Sequence, residues 1–301
     1  ARGALVAAMP RRAAPPPPPS PSIVQAVLGA LGPLQPNSRS IAAVLLCALG
    51  WEAIYRLAQL ICHVTAHSVV QANHKKGPTA FRNNGSTYVC AFVHAVITGG
   101  RGLWHIWELL DAPLVDKLRV NPDPASAYHQ TGIETELTNL LFFSWLLYDT
   151  VHVLSWYPVL GGLDTLAHHL CFMLGSFITG SYRALPFQFS WLITGECSSP
   201  FLNLRWFLIN TGNGGSALMQ VVNLAFGLTF FVVRVLLYTL GLAHMAAVTP
   251  TIVSLGILPL PILGVIGLIL AAGYSLNLMW AAKIWHMAFG ANQSGNAEKH
   301  A

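Results

Sequence analysis

Long apolar stretches separated by short turns dominate the chain from about residue 40 to residue 286. Several of these stretches approach the roughly twenty residues that an α-helix needs to cross a bilayer. No segment of about ten residues alternates polar and apolar positions, as a strand of a membrane barrel would. Because helices satisfy their own backbone polar groups in lipid, the pattern predicts an all-α, polytopic membrane protein.

Turn signals built from Asn, Gly and Pro separate the predicted spans. Most connections are short, so consecutive helices should be antiparallel neighbours. Residues 249–261 contain three prolines and could form a loop, a re-entrant turn or the start of a kinked helix, so the count is six or seven. The predicted spans are 41–62, 88–110, 138–157, 163–178, 187–209, 217–240 and 261–286.

Composition supports a lipid environment and excludes some functions. Hydrophobic residues make up 54% of the 301 residues and charged residues only 9%, whereas about a quarter is typical of soluble domains. The net charge of +5 does not form a basic face interleaved with aromatic residues, so we expect no nucleic-acid partner. The five cysteines lie in apolar segments without a CxxC spacing, so we expect packing residues and no metal site.

The sequence divides into a tail, a membrane domain and a second tail. Residues 1–38 contain a proline run and little that could pack, so we predict a disordered tail without a cleaved signal peptide. Residues 39–288 form the predicted transmembrane domain, and residues 289–301 a short polar C-terminal tail. Basic residues oppose one another across alternate loops, so the orientation stays open.

Polar residues inside the third predicted span indicate a partner or a cavity. An ionised side chain at the centre of a membrane helix costs at least about 2.5–3.5 kcal/mol, so it rarely faces lipid. Asp149 and His152 are three residues apart and can touch. Thr138 and Trp145 lie on the same helical face, since each residue turns about 100°.

The fourth predicted span begins with Asp164 and carries the adjacent pair His168 and His169. Adjacent residues point about 100° apart, so the two imidazoles cannot share one small ligand without distortion. We expect one histidine to face a cavity and the other to pack against a helix or orient the first. Asp164 lies one turn before His168, where its carboxylate could fix the imidazole tautomer.

The fifth and sixth predicted spans each carry a polar stripe. Pro200 cannot donate the helical hydrogen bond that the carbonyl of Glu196 would accept, which predicts a kink near Glu196. Arg234 lies inside an apolar run and needs an acidic partner or a water-filled path. The stripes are Gln188, Glu196, Ser199 and Asn203, and then Gln220, Asn223, Arg234 and Tyr238.

Taken singly, each polar residue also fits an interhelical hydrogen bond. Glu52 and Arg56, for example, are predicted to form a structural i, i+4 pair. The occurrence of such residues on four consecutive spans instead indicates a common site. We therefore predict that Asp149, one of the paired histidines, Glu196 and Arg234 approach one interior cavity.

The residues around the paired histidines form a distinctive combination. It consists of Tyr148-Asp149, then Asp164 with His168-His169, then the run 195–203 followed by Arg205-Trp206. In this combination residues 147–210 resemble the TLC domain, a family of multi-span endoplasmic-reticulum and related membrane proteins that includes ceramide synthases and lipid-homeostasis proteins. The closest likeness is to the smaller TLC domain-containing proteins, which follow the double histidine with a Glu-x-Ser-x-Pro-Phe element.

The resemblance implies a helical bundle arranged as a barrel-like ring around a central, lipid-accessible cavity. The paired histidines and the acidic residues would line that cavity. Membrane lipids, including sphingolipids, would be the partners, and the endoplasmic reticulum or another endomembrane the location. Ceramide synthases follow the double histidine with two acidic residues three apart, and the positions that correspond here are Glu196 and Ser199, so the second carboxylate is absent.

Two main function classes stay open. The first is a protein that binds lipid in the cavity and contributes to membrane lipid homeostasis. The second is a ceramide-synthase-like N-acyltransferase that moves an acyl chain from acyl-coenzyme A, as substrate, to a long-chain amine. A transporter, channel or receptor is a third alternative. We expect no cofactor, and a homo- or hetero-oligomer is open. The candidate catalytic residues are His168, His169, Glu196 and Asp149, and the candidate binding residues are Asp164, His152, Ser199, Asn203 and Arg234.

Overall fold

The computed structural model describes residues 37–70 and 77–289, and within them the chain is almost entirely helical. The two predicted tails therefore lie largely outside the described residues. A 3₁₀ turn, Thr194–Ser198, joins α6 to α7, and a π-helical turn, Phe231–Leu236, joins α8 to α9. The helices are α1 Ser38–Val69, α2 Gly77–Leu109, α3 Leu114–Leu118, α4 His129–Ser155, α5 Leu163–Tyr182, α6 Pro186–Ile193, α7 Ser199–Asn210, α8 Ala217–Phe230, α9 Leu237–Ser254 and α10 Leu260–Phe289.

Within residues 37–70 and 77–289, four helical segments are long and apolar enough to cross a membrane: Arg39–Val69, His129–Ser155, Ala217–Ser254 and Leu260–His286. In the most apolar windows of the first and the last, only 28% of residues are buried within the chain. The remaining apolar surface is available to lipid, since water would disfavour so large an exposed patch. The predicted all-α membrane fold is confirmed, while the count of six or seven spans stays a prediction.

The directions of the helices follow from their pairwise contacts. Helices α1 and α4 are parallel, because the residue numbers of their contacting pairs increase together. Ala43 packs with Leu140, and further along both helices Tyr148 donates a hydrogen bond to Glu52. Along α4 and α5 the residue numbers of contacting pairs change in opposite directions. Asn139 donates to the carbonyl of Ser176 at 2.9 Å, whereas Thr150 contacts His169 at 3.2 Å. The third and fourth predicted spans are therefore antiparallel, as predicted.

The predicted kink near Glu196 is present as the 3₁₀ turn between α6 and α7, with Pro200 in the first turn of α7. Helix α2 lies directly against this turn. A Cβ atom added at Gly99 would lie 2.9 Å from the backbone nitrogen of Cys197, and one at Gly102 would lie 2.8 Å from Ile193. Glycine at these positions therefore allows the close backbone approach that holds the turn against α2.

The proline-containing segment near residue 250 corrects one predicted boundary. The helix that begins at Ala217 extends through Pro250 to Ser254, well beyond the predicted end at residue 240. A five-residue loop follows, in which Gly256 has a φ of 60°, a conformation that glycine adopts readily. Helix α10 then begins at Leu260, with Pro261 in its first turn, where a missing N–H removes no helical hydrogen bond.

Candidate functional site

A cavity of about 600 Å³ lies within the helical bundle, with walls from α2, α4, α5, α7, α8, the two irregular turns and α10. Its lining combines aromatic and aliphatic side chains with a group of polar ones. All of the candidate site residues except His152 lie on its wall, so the predicted common cavity is confirmed. These residues are Asp149, Asp164, His168, His169, Glu196, Ser199, Asn203 and Arg234.

Arg234 forms the most connected polar group of the cavity. It approaches Oε1 of Glu196 at 3.3 Å, and its Nε donates to Ser198 Oγ at 3.0 Å. Ser199 Oγ accepts from Arg234 at 3.2 Å and donates to Glu196 Oε2 at 2.9 Å. The side chains of Arg234 and Glu196 are only 9% and 16% exposed. The acidic partner predicted for Arg234 is therefore Glu196, and the two serines accept further hydrogen bonds from it.

The elements around this group explain its position. Arg234 lies in the π-helical turn between α8 and α9, and such turns widen a helix locally. Glu196, Ser198 and Ser199 lie in or next to the 3₁₀ turn, whose tighter winding brings these side chains to one side. Two departures from regular α-helix thus face each other where the ion pair forms.

Asp149 and His169 form a second polar group. Oδ2 of Asp149 lies 3.5 Å from Nε2 of His169, and both side chains are largely buried. Thr150 Oγ1 donates to the carbonyl oxygen of Leu146 at 2.6 Å, so towards His169 Nδ1, at 3.2 Å, it can only accept. Nδ1 of a neutral His169 therefore carries the proton. Nε2 then faces the carboxylate of Asp149, which would stabilise a proton taken up by that nitrogen.

His168 and His169 have different surroundings, as expected for adjacent helix positions. The ring of His168 packs against Phe172 and Trp280, with centroid distances of 4.4 and 5.3 Å. Asp164 does not fix its tautomer as predicted. Its carboxylate instead accepts from the backbone of Thr165 at 3.0 Å and from Trp280 Nε1 at 3.4 Å. One turn of separation places Asp164 nearer to α10 than to the imidazole.

His152 is the predicted binding residue that the cavity does not include. Its Nε2 lies 3.7 Å from Glu52, and its ring packs against Tyr55 and Tyr148. Helix α4 contacts α1 on one side and α5 on the other, so a separation of three residues sends Asp149 and His152 to different neighbours. The predicted contact between Glu52 and Arg56 is confirmed at 2.6 Å.

Several cavity residues were not among the predicted site residues, although Asn223 belongs to the polar stripe predicted for the sixth span. His94 and Ala91 of α2 line the inner wall, beside Trp145. Arg205 of α7, Asn223 of α8 and Lys283 of α10 also line the cavity. Arg205 donates to Asn223 Oδ1 at 3.0 Å. A lone histidine in an apolar stretch gives no periodic signal, but Arg205 does belong to the motif that carries the family resemblance.

The wall residues also show where the cavity is polar. Asp164 and Lys283 lie near the beginning of α5 and the end of α10, which is the end of the bundle where α4 and α7 also finish. His94, Glu196 and Arg234 lie further inside. No group of three His, Cys, Asp or Glu side chains among residues 37–70 and 77–289 has a metal-binding arrangement. The site can therefore offer charge, hydrogen bonds and an apolar wall.

The comparison with protein families bears directly on these elements. The model of the TLC domain matches residues 85–286, about two thirds of the chain. The chain belongs to the TLC domain family. The matched region begins in α2 and ends in α10, so the TLC domain contains every residue of the cavity wall, while α1 precedes it. A search of curated proteins finds no match to the chain.

Proposed function

We propose that this TLC domain binds a membrane lipid in its cavity and through that binding contributes to membrane lipid homeostasis. The observation that carries the proposal is the combination of an apolar wall with a buried ion pair. Arg234 and Glu196 neutralise each other, and Asp149 lies beside His169. Such a cavity can accept an uncharged or zwitterionic polar group together with an apolar chain, because the buried ion pair needs no opposite charge from the ligand.

The size and position of the cavity support a lipid ligand. A volume of about 600 Å³ lies within the usual range of ligand sites, which is roughly 300–1,000 Å³. Leu202, Phe226 and Ile284 supply apolar wall, whereas Asn203 and Lys283 supply polar groups. An amphipathic molecule matches this division, with its polar group among the charged residues and its chain along the apolar wall.

We further propose that the bundle crosses the membrane seven times, in the endoplasmic reticulum or another endomembrane. Helices α2 and α5 and the continuous unit Pro186–Asn210 would cross beside the four apolar segments. Each of these three segments has 20 or more residues, which is enough to span the hydrocarbon core. Some polar residues of each segment line the cavity, among them His94, His168 and Glu196, and they make these three segments less apolar than the others.

Filling the cavity with a larger side chain should remove the bound lipid. Leu202→Trp places an indole where Leu202 lines the cavity, and we expect at least a tenfold lower yield of co-purifying lipid. Ile209→Trp is the matched control, because Ile209 lies on the same helix, is similarly exposed and does not line the cavity. The measurement is quantitative mass spectrometry of lipids extracted from both purified variants.

Equal lipid content in the two tryptophan variants would contradict the proposal, provided that both elute as folded protein. It would mean that the lipids found with the wild type belong to the outer surface. A lipid species lost from Leu202→Trp and retained by Ile209→Trp would identify the ligand.

A second candidate function, N-acyl transfer, is favoured by the contact between Asp149 and His169. In that reaction a long-chain amine attacks the thioester carbon of acyl-coenzyme A. A general base takes the amine proton, and the coenzyme A thiolate leaves and is protonated. Nε2 of His169 lies 3.5 Å from Asp149, in a residue of the cavity wall, and could take that proton, because the other nitrogen carries the ring proton that Thr150 accepts. Glu196 is less suited to be the base, since Arg234 and Ser199 already occupy its oxygens.

A further inference from the structure

Three charged residues of the cavity wall have no ion-pair partner in the part of the chain that the structure describes. They are Asp164 of α5, Arg205 of α7 and Lys283 of α10. A charged side chain in a membrane bundle needs water or an opposite charge close to it. These three residues are therefore available to the charged groups of a ligand, unlike the ion pair elsewhere on the same wall.

The guanidinium of Arg205 is held in place and still has donors to offer. Its Nε donates to Oδ1 of Asn223 at 3.0 Å, and Asn223 of α8 also lines the cavity. The two terminal nitrogens of Arg205 make no hydrogen bond within the described residues, and neither is sealed from water. A guanidinium fixed through Nε can direct these N–H groups at two oxygens of one phosphate.

Lys283 and Asp164 both lie beside Trp280. Lys283 is exposed and shares one face of α10 with Trp280 and Ile284, which also line the cavity. Oδ2 of Asp164 accepts a hydrogen bond from Trp280 Nε1 at 3.4 Å, but Asp164 and Lys283 form no ion pair. The wall thus has a second cation and, next to an aromatic ring, a carboxylate without a cation. A carboxylate beside an indole suits an ammonium group.

Apolar residues follow these charges one helical turn further into the bundle. Helix α7 runs towards the turn 211–216, and Leu202 precedes Arg205 by three residues. Helix α8 returns from that turn, and Phe226 follows Asn223 by three residues. Three residues correspond to a step of about 4.5 Å along a helix. The wall therefore changes from charged to apolar in the order in which a lipid changes from head group to chain.

We propose that Arg205 and Lys283 bind the phosphate of a phospholipid, and that Asp164, beside Trp280, binds the cationic part of its head group. This inference rests on the proposed function and adds the class of ligand to it, a zwitterionic phospholipid. An uncharged lipid would leave all three charges without a partner. The phosphates of coenzyme A would serve the two cations but not Asp164. Basic pockets between membrane helices are a common form of head-group site.

Three tritiated probes with the same hexadecyl chain test this selection. They are hexadecan-1-ol, hexadecyl phosphate and hexadecylphosphoethanolamine. Binding to the purified full chain is measured by scintillation proximity, with Leu202→Trp in the same detergent as the baseline for a filled cavity. We expect the wild type to bind hexadecylphosphoethanolamine at least about tenfold more tightly than hexadecan-1-ol, the size expected of one charge-assisted hydrogen bond, with hexadecyl phosphate between them.

Substitution of the two cations tests the phosphate contact. We expect Arg205→Gln to weaken binding of both phosphate probes about tenfold and Lys283→Gln about threefold, because Lys283 is the more exposed. Neither variant should change the binding of hexadecan-1-ol. Arg119→Gln is the matched control for net charge, because Arg119 is exposed, has no ion pair within the described residues and does not line the cavity. It should change the binding of no probe.

Substitution of the carboxylate tests the contact with the head-group cation. We expect Asp164→Asn to weaken binding of hexadecylphosphoethanolamine about tenfold. Binding of hexadecyl phosphate should stay equal or become tighter, because an anion gains when a nearby carboxylate is removed. A loss of affinity that is the same for both phosphate probes would overturn the role of Asp164.

The remaining outcomes each overturn a defined statement. Equal binding of the three probes by the wild type, above that of Leu202→Trp, would overturn the inference and leave lipid binding in place. Unchanged phosphate binding in both Arg205→Gln and Lys283→Gln would also overturn it. If free coenzyme A displaces hexadecylphosphoethanolamine as effectively as the unlabelled probe does, the phosphate comes from coenzyme A and the phospholipid is excluded. Binding by the wild type no stronger than by Leu202→Trp for every probe would overturn the proposed function as well.

Discussion

Replacing Arg234 with Met should lower the free energy of unfolding by about 3–5 kcal/mol, because Glu196 would remain largely buried without its cation. Methionine preserves the length of the side chain and its contact with Phe230, so lost packing contributes little. The two serines cannot replace the guanidinium, since Ser199 already donates to Glu196 and Ser198 donates to the carbonyl of Gly195. The measurement is reversible unfolding in mixed detergent micelles.

Two variants control this experiment. Glu196→Gln combined with Arg234→Met removes both charges, and we expect it to be clearly more stable than Arg234→Met alone. Arg56→Met breaks the ion pair with Glu52, where the Arg56 side chain is 65% exposed, and should change stability little. If Arg234→Met unfolds like Arg56→Met, the compensated charge on which the proposed function depends is absent.

If the purified wild type acylates a long-chain amine, His169→Ala should lower the rate by a factor of roughly 10²–10⁴, which is the usual contribution of a general base. The physical reason is the fixed proton on Nδ1, which leaves Nε2 to accept the amine proton beside Asp149. The assay follows transfer from labelled acyl-coenzyme A to a sphingoid base in reconstituted vesicles. Lipid content of the same preparations reports whether the cavity is intact.

The lipid-binding proposal predicts a different result in that assay. The wild type should show no transfer above protein-free vesicles, while His169→Ala should still retain a cavity lipid. His152→Ala is the matched control, because His152 contacts Glu52 outside the cavity and should not change transfer in either case. Robust transfer that depends on His169 but not on His152 would replace lipid binding by acyl transfer as the function.

The sequence predicted the cavity because an ionised residue in a membrane helix has few acceptable positions. Asp149, Glu196 and Arg234 could avoid lipid only by facing inward, and the structure places all three on one wall. The kink at Glu196 was equally predictable, since proline removes a specific helical hydrogen bond. These predictions depend on local chemistry that is independent of how the helices are arranged.

Predictions that depend on helix neighbours were less successful. His152 faces α1 because α4 lies between two helices, and the spacing of three residues does not say which neighbour each side chain meets. Asp164 bonds to Trp280 of α10, a helix more than a hundred residues away along the chain. The stacking of His94 on Trp145 and the contact of Thr150 with His169 depend on neighbouring helices whose positions the tertiary structure sets.

The most direct test of a lipid inside the bundle is photocrosslinking in cells fed a fatty acid that carries a diazirine and an alkyne. After irradiation, crosslinked peptides from the purified protein are mapped by mass spectrometry. Our account predicts adducts on the cavity wall, at α2 near Ala91 and at α7 near Leu202, which disappear in Leu202→Trp and persist in Ile209→Trp. Adducts confined to outer positions such as Leu57 and Leu268 would show that lipid contacts only the surface of the bundle and would contradict the account.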